Sequence, residues 1–370
     1  MSFKSDLLKS VQAVPARLEH ELMYHARYKT GEEDFVKAIQ NAKPISSEQK
    51  QTIKEYWCPY VRNLKERIAF DLRWFDIYNR TNVFGFKLEQ YIPDSYYYAI
   101  VDNCLTNTLD APVLDDKNLY DLLFHDVNQP LTLIRKSGGV ILDNQYNPIS
   151  EDEALRRCVA NGRVILKPSV DAMAGQGIEI WQEGRDDIKR LRQLIARTPN
   201  LVVQDFIRQH PFLSAFTDSC VNTMRIVTLL WEGEVKVTTA VLIMGGPKAK
   251  TNHLHGGGIV CGILPDGQLR HTAFDGQLNE YKVHPNGIRF ADVRIPNYDK
   301  CIALVKRLAP RMAGVSKFLN WDLTLDENGE PLLIEVNLTW GGSVQIAAGP
   351  AFGDMTREVL DYVKREGRWK

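Results

Sequence analysis

Residues 320–337 constrain the fold most strongly, because their pattern is that of a β-hairpin with acidic side chains on one face. Asn328-Gly329 separates two apolar stretches and favours a type I′ turn, which requires positive φ at both central residues. Such a turn pairs Glu327 with Glu330 and fixes the register of every pair further back along the strands. The sequence therefore predicts two antiparallel strands with a defined register.

The predicted register places Asp322 opposite Glu335 and leaves Asn337 on the same face. The other face is expected to pack in the core and carries Leu323, Leu325, Leu332, Ile334 and Val336. Two carboxylates that face each other repel, so a divalent cation between them, with an amide oxygen nearby, explains the pattern. Mg²⁺ is the natural candidate, whereas the solvated acidic face of an antiparallel sheet explains this stretch equally well.

The charge balance gives no indication of a polyanionic partner, because the 46 Lys and Arg residues are matched by 46 Asp and Glu residues. We therefore expect small-molecule partners and no nucleic acid. The six cysteines are scattered and contain no C-x-x-C pair, which predicts reduced thiols in a cytoplasmic protein rather than a zinc site or a disulfide framework. The distribution of apolar residues predicts neither a signal peptide nor a membrane span.

The apolar periodicity changes near residue 110 of the 370-residue chain. The part before it has a mainly helical pattern, and its aromatic residues are expected to pack in a core. From Ala111 onward, short apolar strands alternate with helices, which indicates an α/β region that extends to the C-terminus. The sequence thus divides into a helical N-terminal part and a larger part that contains the hairpin.

A lysine lies near the end of the predicted strand 163–168, and a loop of small residues, 169–177, follows it. The Lys167 ammonium and the backbone N–H groups of this loop can bind phosphate oxygens. The loop lacks the Walker sequence and lies between strands, whereas P-loops and dinucleotide fingerprints open a helix. An ordinary hairpin turn with Gly175 and Gly177 explains the loop nearly as well, so Lys167 is the more informative residue.

Two later strands also carry candidate binding groups. The end of the first, Gln204–Ile207, can present backbone N–H and C=O groups to the edge of an adenine ring. On the second, Thr223 and Arg225 share one face, and an arginine there can hold a phosphoryl or carboxylate group with two hydrogen bonds. A surface ion pair is the alternative role for Arg225.

The glycine-rich loop 252–258 must either move or let a ligand approach its backbone closely. No third ligand converges with His253 and His255, so we interpret them as loop histidines, one of which is a candidate for substrate contact. This loop, a second loop at 340–343 and the N-terminal part are expected to build the substrate pocket.

The order of these features resembles that of the ATP-grasp superfamily over about residues 110–350. The specific part of this resemblance is the combination of Leu166-Lys167-Pro168 with Ile334-Glu335-Val-Asn337. The finer pattern is similar to the sugar-transfer-associated ATP-grasp branch and consists of Val221-Asn-Thr-Met-Arg225, His284-Pro-Asn-Gly287, Trp321-Asp322 and Glu335-Val-Asn-Leu-Thr-Trp340. The resemblance implies an α+β, ATP-grasp fold, in which two α+β subdomains clasp ATP. The implied domains are a mainly helical N-terminal domain at 1–110, a small ATP-binding subdomain at 111–200 and a C-terminal subdomain with the metal-binding hairpin at 201–370.

The resemblance also implies ATP and Mg²⁺ as cofactors and a role for each site residue. Lys117 and Lys167 would bind the ATP phosphates, and Arg225 would steady the transferred γ-phosphoryl group. The remaining contacts would come from the covering loop (Ala174, Gly175, Gly177), the adenine-binding segment (Gln204, Asp205, Phe206, Ile207) and the Mg²⁺ ligands (Asp322, Glu335, Asn337). Family members place an acid after the adenine-binding segment for the ribose hydroxyls, but residues 208–211 contain none, so Asp218 or His210 is the substitute candidate.

In the usual superfamily reaction, a carboxylate attacks the γ-phosphate to give an acyl phosphate and ADP, and an amine then displaces phosphate. We therefore expect an ADP-forming carboxylate–amine ligase with small-molecule substrates, such as a sugar acid and an amino acid. The family context implies surface-polysaccharide or related precursor biosynthesis. The alternatives are a phosphotransferase that acts on a hydroxyl and a nucleotide-binding module without turnover.

Overall fold

The computed structural model describes residues 39–61, 71–107, 110–170, 177–246, 252, 254–338 and 342–366. These residues form two compact units. The first contains residues 39–61, 71–106, 277–279 and 349–366, and the second contains the rest of the described chain. The division into three domains at residues 110 and 200 stays a prediction.

The first unit is built from helices. Its helices are Ser47–Val61, Trp74–Thr81, Asp94–Tyr96, the π-helix Tyr97–Val101, Asp102–Leu105 and Thr356–Glu366, with 3-10 turns at Ile39–Asn41, Leu88–Gln90 and Gly353–Met355. A capping box begins the first long helix, because the Gln49 N–H donates to the Ser46 hydroxyl at 3.1 Å and the Ser46 N–H donates to the Gln49 side chain at 2.8 Å. Buried aromatic rings fill the core, and those of Tyr78 and Tyr91 stack 4.7 Å apart. The predicted helical N-terminal region is confirmed.

The second unit contains two sheets, and the smaller one has five antiparallel strands in the order β2-β1-β5-β3-β4. The strands are β1 (Thr132–Ser137), β2 (Val140–Asp143), β3 (Arg163–Pro168), β4 (Glu179–Gln182) and β5 (Leu201–Asp205). The helices Glu151–Asn161 and Ile188–Arg197 cover one face with their apolar stripes, so Val164 and Leu166 of β3 join that core. Lys167 points to the opposite face, because side chains alternate along a strand.

The larger sheet has seven antiparallel strands in the order β10-β9-β8-β7-β6-β11-β12. The strands are β6 (Thr223–Trp231), β7 (Glu234–Met244), β8 (Ile259–Ile263), β9 (Leu269–Asp275), β10 (Glu280–Tyr281), β11 (Phe318–Leu325) and β12 (Pro331–Asn337). The helix Tyr298–Leu308 packs on one face, where Met224 and Ile226 of β6 are fully buried. Alternation therefore leaves Thr223 and Arg225 on the other face, as predicted.

The other helical segments of this unit are short. They are Pro112–Asp115, Lys117–Leu119, Tyr120–Leu123, Pro211–Ser214, Leu254–Gly256, Phe290–Asp292, Ala309–Met312 and Ser343–Ala348. Across the described ranges of the whole chain, no helix combines the length and the apolar character that crossing a bilayer requires.

The turn between β11 and β12 differs from the predicted type I′ turn. Gly329 has a φ of +82°, but Asn328 does not have the positive φ that a type I′ turn also requires there. The Asp326 N–H instead donates to the Glu330 carbonyl at 2.9 Å, so the turn is one residue longer than predicted. The Asp326 carboxylate stabilises the longer turn, because it accepts hydrogen bonds from two backbone N–H groups within it.

A β-bulge restores the predicted register beyond this turn. Leu323 pairs with Leu333, whereas Asp322 pairs with Glu335, so Ile334 is an extra residue in β12. The bulge also changes the core face of the hairpin, since Leu333 enters the main core. Leu332 is buried outside that cluster, and Ile334 is half-buried. The predicted pairing of the two acids is thus confirmed, although the predicted turn was wrong.

Candidate active site

Two lysines from separate segments are joined at one end of the five-stranded sheet. Lys167 lies in β3, and the N–H of Lys117 donates to the carbonyl of Ser169 at 2.9 Å. Lys117 begins a 3-10 turn, which Asp116 caps by accepting a hydrogen bond from the Asn118 N–H at 3.0 Å. The backbone therefore fixes the segment of one predicted phosphate-binding lysine to the strand of the other.

The Lys167 side chain is half-buried. Burial lowers the pKa of Lys167 to about 8, against the opposing effect of the Glu335 carboxylate and with a further lowering by the Lys117 ammonium. Within the described part of the chain, Lys167 forms no ion pair. An anion bound here would stabilise the charged form of this lysine, so the position suits a phosphate.

The covering loop is described only at its end, because Ala174 and Gly175 lie outside the described residues. Gly177 has a φ of +73°, and a Cβ at this position would lie 2.8 Å from Cγ of Pro168. A side chain here would therefore be strained in its backbone and would collide with the proline that follows Lys167.

The adenine-binding segment begins in β5, the central strand of its sheet. The backbone of Gln204 is occupied by pairing with β1 and β3. Its side-chain nitrogen lies 3.2 Å from Oγ1 of Thr132 and 3.4 Å from the Pro130 carbonyl, whereas its buried Oε1 has no hydrogen-bond partner among the residues that the structure describes. The side chain of Gln204 therefore offers an acceptor that its backbone does not.

The residues after Gln204 are tied to the rest of the sheet. The Asp205 carboxylate accepts hydrogen bonds from Nδ2 of Asn161 at 2.8 Å and from the N–H of Phe206 at 2.6 Å. The Phe206 ring lies 3.7 Å from the Arg163 guanidinium, which covers one of its faces, and Ile207 is half-buried. These contacts hold the predicted adenine-binding segment at the end of β5.

Three neighbouring strands of the larger sheet place three charged side chains in one row, with Glu335 on β12, Asp322 on β11 and Arg225 on β6. Nε and Nη2 of Arg225 donate to the two carboxylate oxygens of Asp322 at 2.8 and 2.7 Å. Nδ2 of Asn337 donates to Asp322 at 3.1 Å, and Nζ of Lys117 lies 3.1 Å from Oε1 of Glu335. Each carboxylate in the row is therefore paired with one cation.

The donor set at this row fits Mg²⁺. Asp322, Glu335 and Asn337 offer oxygen ligands, which hard cations prefer over nitrogen and sulfur. Among the described residues, no group of three or more His, Cys, Asp or Glu side chains could hold a metal. Mg²⁺ usually takes one or two carboxylates and completes its coordination with substrate phosphates and water. The row therefore suits a Mg²⁺ ion that is shared with a phosphate rather than a site made by protein alone.

Two residues of the site, Tyr120 and Asn320, were not predicted from the sequence. The Tyr120 hydroxyl lies 3.1 Å from both the backbone nitrogen and the carbonyl oxygen of Val336, between two predicted metal ligands. Asn320 pairs with Asn337 and is fully buried, and its Oδ1 has no hydrogen-bond partner in the described ranges. A local pattern could not reveal the first contact, because 216 residues separate its two partners.

The substitute candidates for ribose binding differ in their surroundings. Nδ1 of His210 accepts a hydrogen bond from the Phe212 N–H at 3.2 Å and caps the helix Pro211–Ser214. Asp218 is exposed. Because the His210 ring already has a structural contact, Asp218 is the less constrained of the two.

No metal site is formed by histidines within the described residues. His253 and the side chain of His255 lie outside the described residues. His284 is buried, with Nε2 3.2 Å from the Gly245 carbonyl and with Nδ1 accepting the Asn286 N–H at 3.2 Å. Burial lowers the pKa of His284, so it is a neutral residue that stabilises its turn.

Comparison with known proteins gives the class that this fold and site belong to. A family model described as "Sugar-transfer associated ATP-grasp" matches residues 103–360. The chain is thus an ATP-grasp protein, with the α+β fold that the resemblance implied. Within that class it belongs to the sugar-transfer associated ATP-grasp family, whose cofactors are ATP and Mg²⁺. No curated protein matches the chain.

Several solved structures match the chain at low identity and low structural similarity. An L-amino acid ligase from Bacillus licheniformis is 15% identical with a TM-score of 0.39, over 67% of this chain and 48% of that one. The D-alanyl-alanine synthetase A from Vibrio cholerae O1 biovar eltor is 13% identical with a TM-score of 0.41, over 70% and 65%. The biotin carboxylase domain of a Hydrogenobacter thermophilus 2-oxoglutarate carboxylase is 14% identical with a TM-score of 0.44, over 70% and 48%. The chain thus spans less than two thirds of the length of each, and no conclusion about its substrates depends on them.

Proposed function

We propose that this protein is an ATP- and Mg²⁺-dependent, ADP-forming ligase that joins a carboxylate to an amine through an acyl phosphate. The observation that carries the proposal is the charged row of the larger sheet. There, the two carboxylates that would hold Mg²⁺ already contact Lys117 and Arg225, the cations that would hold phosphate, at distances of 2.7 to 3.1 Å. A site that alternates carboxylates and cations suits MgATP, in which phosphate anions are bound to a metal cation.

The five-stranded sheet would bind the nucleotide. Oε1 of Gln204, which accepts no hydrogen bond from the described residues, suits the amino group of adenine, which donates a hydrogen bond where guanine has an oxygen. Lys167 would contact the phosphates, and the loop that ends at Gly177 would cover them, with Ala174 and Gly175 as its proposed contributions. Asp205, Phe206 and Ile207 would support the adenine edge at the end of β5.

In the first chemical step, a carboxylate oxygen of the substrate would bond to the γ-phosphorus while the bond from that phosphorus to the ADP oxygen breaks. Lys117, Lys167 and Arg225 would neutralise the charge on the phosphate oxygens. Asp322, Glu335 and Asn337 would hold Mg²⁺, which supplies further neutralisation when it is bound. An amine would then attack the acyl carbon, phosphate would leave, and the nitrogen would lose a proton to give the amide.

Binding of MgATP would require an exchange of partners in the charged row. Lys117 and Arg225 would move from Glu335 and Asp322 to phosphate oxygens, and the two carboxylates would take Mg²⁺ in their place. Every charge keeps a partner in this exchange, which avoids the large cost of leaving a partly buried charge unpaired. The metal and the nucleotide should therefore each favour binding of the other.

The substrates that we propose are small molecules, a carboxylic acid such as a sugar acid and an amine such as an amino acid. The family description supports a link to sugar transfer and hence to surface-polysaccharide or related precursor biosynthesis. Fold membership by itself does not define the acid or the amine.

Trapping with hydroxylamine tests the reaction class. The purified chain is incubated with ATP, Mg²⁺, hydroxylamine and a panel of sugar acids and amino acids, and hydroxamate and ADP are quantified. A ligase gives both products with its correct acid, because hydroxylamine captures the acyl phosphate. A phospho-product that is stable to hydroxylamine would instead indicate a phosphotransferase, and ATP binding without turnover across the panel would count against catalysis.

A further inference from the structure

β12 is the last strand in the order of the larger sheet, so no strand of the described residues pairs with its outward backbone groups. The segment that follows Lys117 supplies their partners. The Leu333 N–H donates to the Asn128 carbonyl at 2.9 Å, and the Val336 N–H donates to the Tyr120 hydroxyl at 3.1 Å. The strand that carries Glu335 and Asn337 is thus held from outside by side chain and backbone groups of residues 120–128.

The Tyr120 hydroxyl lies within hydrogen-bond distance of both the N–H and the carbonyl of Val336. It accepts the Val336 N–H, and its own hydrogen can go to the carbonyl of Val336 or of Leu114, each 3.1 Å away. Tyr120 is 5% exposed, and burial raises its pKa, with the Glu335 charge acting in the same direction. The group therefore remains a neutral hydroxyl, which can donate and accept at once.

The Tyr120 ring is fixed from its other side. Its centroid lies 5.7 Å from that of Phe124, which in turn lies 6.2 Å from Trp321, and both contacts are edge-to-face. Nε1 of Trp321 donates to Oγ1 of Thr228 at 2.8 Å, so the stack ends on a hydrogen-bonded residue next to Asp322. The position of the hydroxyl is consequently set by the core of the larger sheet.

Tyr120 also determines where Lys117 can lie, because it directly follows the turn Lys117–Leu119. One end of this turn is bonded to Ser169 of the β3 segment, and the other is bonded to Val336 of β12. Between these attachments, Nζ of Lys117 reaches Glu335. The turn is thus attached at one end to the segment of Lys167 and at the other end to the strand of the proposed metal ligands.

We propose that Tyr120 is a positioning residue, whose hydroxyl holds the phosphate-binding Lys117 in register with the metal-binding strand β12. This inference rests on the proposed function, since it assigns phosphate to Lys117 and Mg²⁺ to Glu335 and Asn337. Tyr120 itself touches neither ligand. It acts on Lys117, which its hydrogen bond with the backbone of Val336 holds in place.

The test is the affinity of Tyr120→Phe for MgATP, measured by isothermal titration calorimetry. The variant keeps the ring and removes the hydroxyl, and the dissociation constant should rise about 10-fold to 100-fold, as for other residues that orient ligand-binding groups. Tyr281→Phe is the matched control, because it removes a tyrosine hydrogen bond to Asp275 elsewhere in the same unit. Its affinity should stay within about 2-fold of the wild type.

A double-mutant cycle with Lys117→Met separates positioning from general destabilisation. If Tyr120 acts through Lys117, Tyr120→Phe should weaken MgATP binding by less than about 2-fold in the Lys117→Met background. Equal losses in both backgrounds, or no loss in the wild-type background, would overturn the inference.

Phe124→Leu tests the same inference if Tyr120→Phe does not fold. It retains the hydroxyl and loosens the ring, so a loss of about 3-fold in affinity is expected, again suppressed by Lys117→Met. A loss that persists in the Lys117→Met background would contradict the positioning role. Failure of the wild-type protein to bind MgATP at all is a different result, which would reject the proposed function and not this contact.

Discussion

The two sheets of the second unit hold their charged site residues in different ways. On the larger sheet, strand register places Asp322 beside both Arg225 and Glu335, and each carboxylate is paired with a cation. On the smaller sheet, Lys167 is half-buried, burial lowers its pKa to about 8, and it has no ion pair in the described chain. The larger sheet thus neutralises its proposed metal ligands within the protein, whereas the smaller sheet presents a cation that no described carboxylate neutralises through an ion pair.

The largest expected effect is that of Glu335→Ala, which removes a proposed metal ligand from the larger sheet. ATP turnover, measured as ADP release, should fall about 100-fold to 1000-fold, because phosphate charge is no longer neutralised in the transition state. Far-ultraviolet circular dichroism should show a folded protein. Glu330→Ala is the control, since Glu330 lies in the same hairpin in a half-exposed pair with Lys300. A Mg²⁺-dependent, fully active Glu335→Ala enzyme would remove the metal assignment.

Arg225→Lys tests whether the geometry of the row matters beyond its charge. Lysine keeps the positive charge but cannot form the two parallel hydrogen bonds that Arg225 makes with Asp322. We expect kcat to fall about 30-fold, with a smaller change in KM for ATP, because Arg225 is proposed to act on the transferred phosphoryl group. Arg294→Lys, in an exposed pair with Asp266, should leave kcat unchanged. An unchanged kcat in Arg225→Lys would indicate that charge alone suffices.

On the smaller sheet, the affinity for MgATP should depend on pH through Lys167. We propose that the nucleotide binds the charged ammonium, and the pKa of Lys167 in the free protein is about 8, so affinity should fall as pH rises through that value. The dissociation constant should increase about 10-fold from pH 7 to pH 9, since one pH unit above a pKa leaves about a tenth of the group charged. Lys167→Arg should flatten this profile, because a guanidinium stays protonated. The same slope in both proteins would assign the titration to another group.

The smallest expected effect concerns the base. Replacing Gln204 by leucine removes the acceptor proposed for the adenine amino group, so the preference for ATP over GTP should fall about 5-fold. Competition between the two nucleotides for one binding site measures this ratio. Gln268→Leu is a control, because the Gln268 side chain donates to the Ala291 carbonyl at the surface. An unchanged preference for ATP over GTP in Gln204→Leu would indicate that backbone groups, and not this side chain, recognise adenine.

The sequence predicted the fold class and the pairing of Asp322 with Glu335. The predicted pairing is correct only because two local errors cancel. The predicted turn is one residue too short, and the bulge at Ile334 compensates for that difference. The sequence does not reveal the bulge, because its extra residue, Ile334, is an apolar residue like its neighbours in the strand. The alternation of apolar residues therefore located the hairpin correctly but missed that Leu333, and not Ile334, packs in the main core. Leu332 is buried as predicted, whereas Ile334 is half-buried.

The positions of the site residues relative to one another could not be read from the sequence. Arg225 and Asp322 form their ion pair across 97 residues of chain, and Tyr120 reaches Val336 across 216. Such contacts depend on sheet order, which local patterns do not encode. Gln204 shows the same limit on a smaller scale, because its free side-chain acceptor becomes evident only once its backbone is placed in a central strand.

The attachment of residues 120–128 to β12 has a consequence for contacts between molecules. An open sheet edge offers unpaired N–H and C=O groups to which a strand of a second chain can add, and this is a common route to aggregation. In this protein the Tyr120 hydroxyl and the Asn128 carbonyl already occupy such groups on Val336 and Leu333. An incoming strand would have to displace them, so the segment that completes the candidate site also shields this edge from association with another copy of the chain.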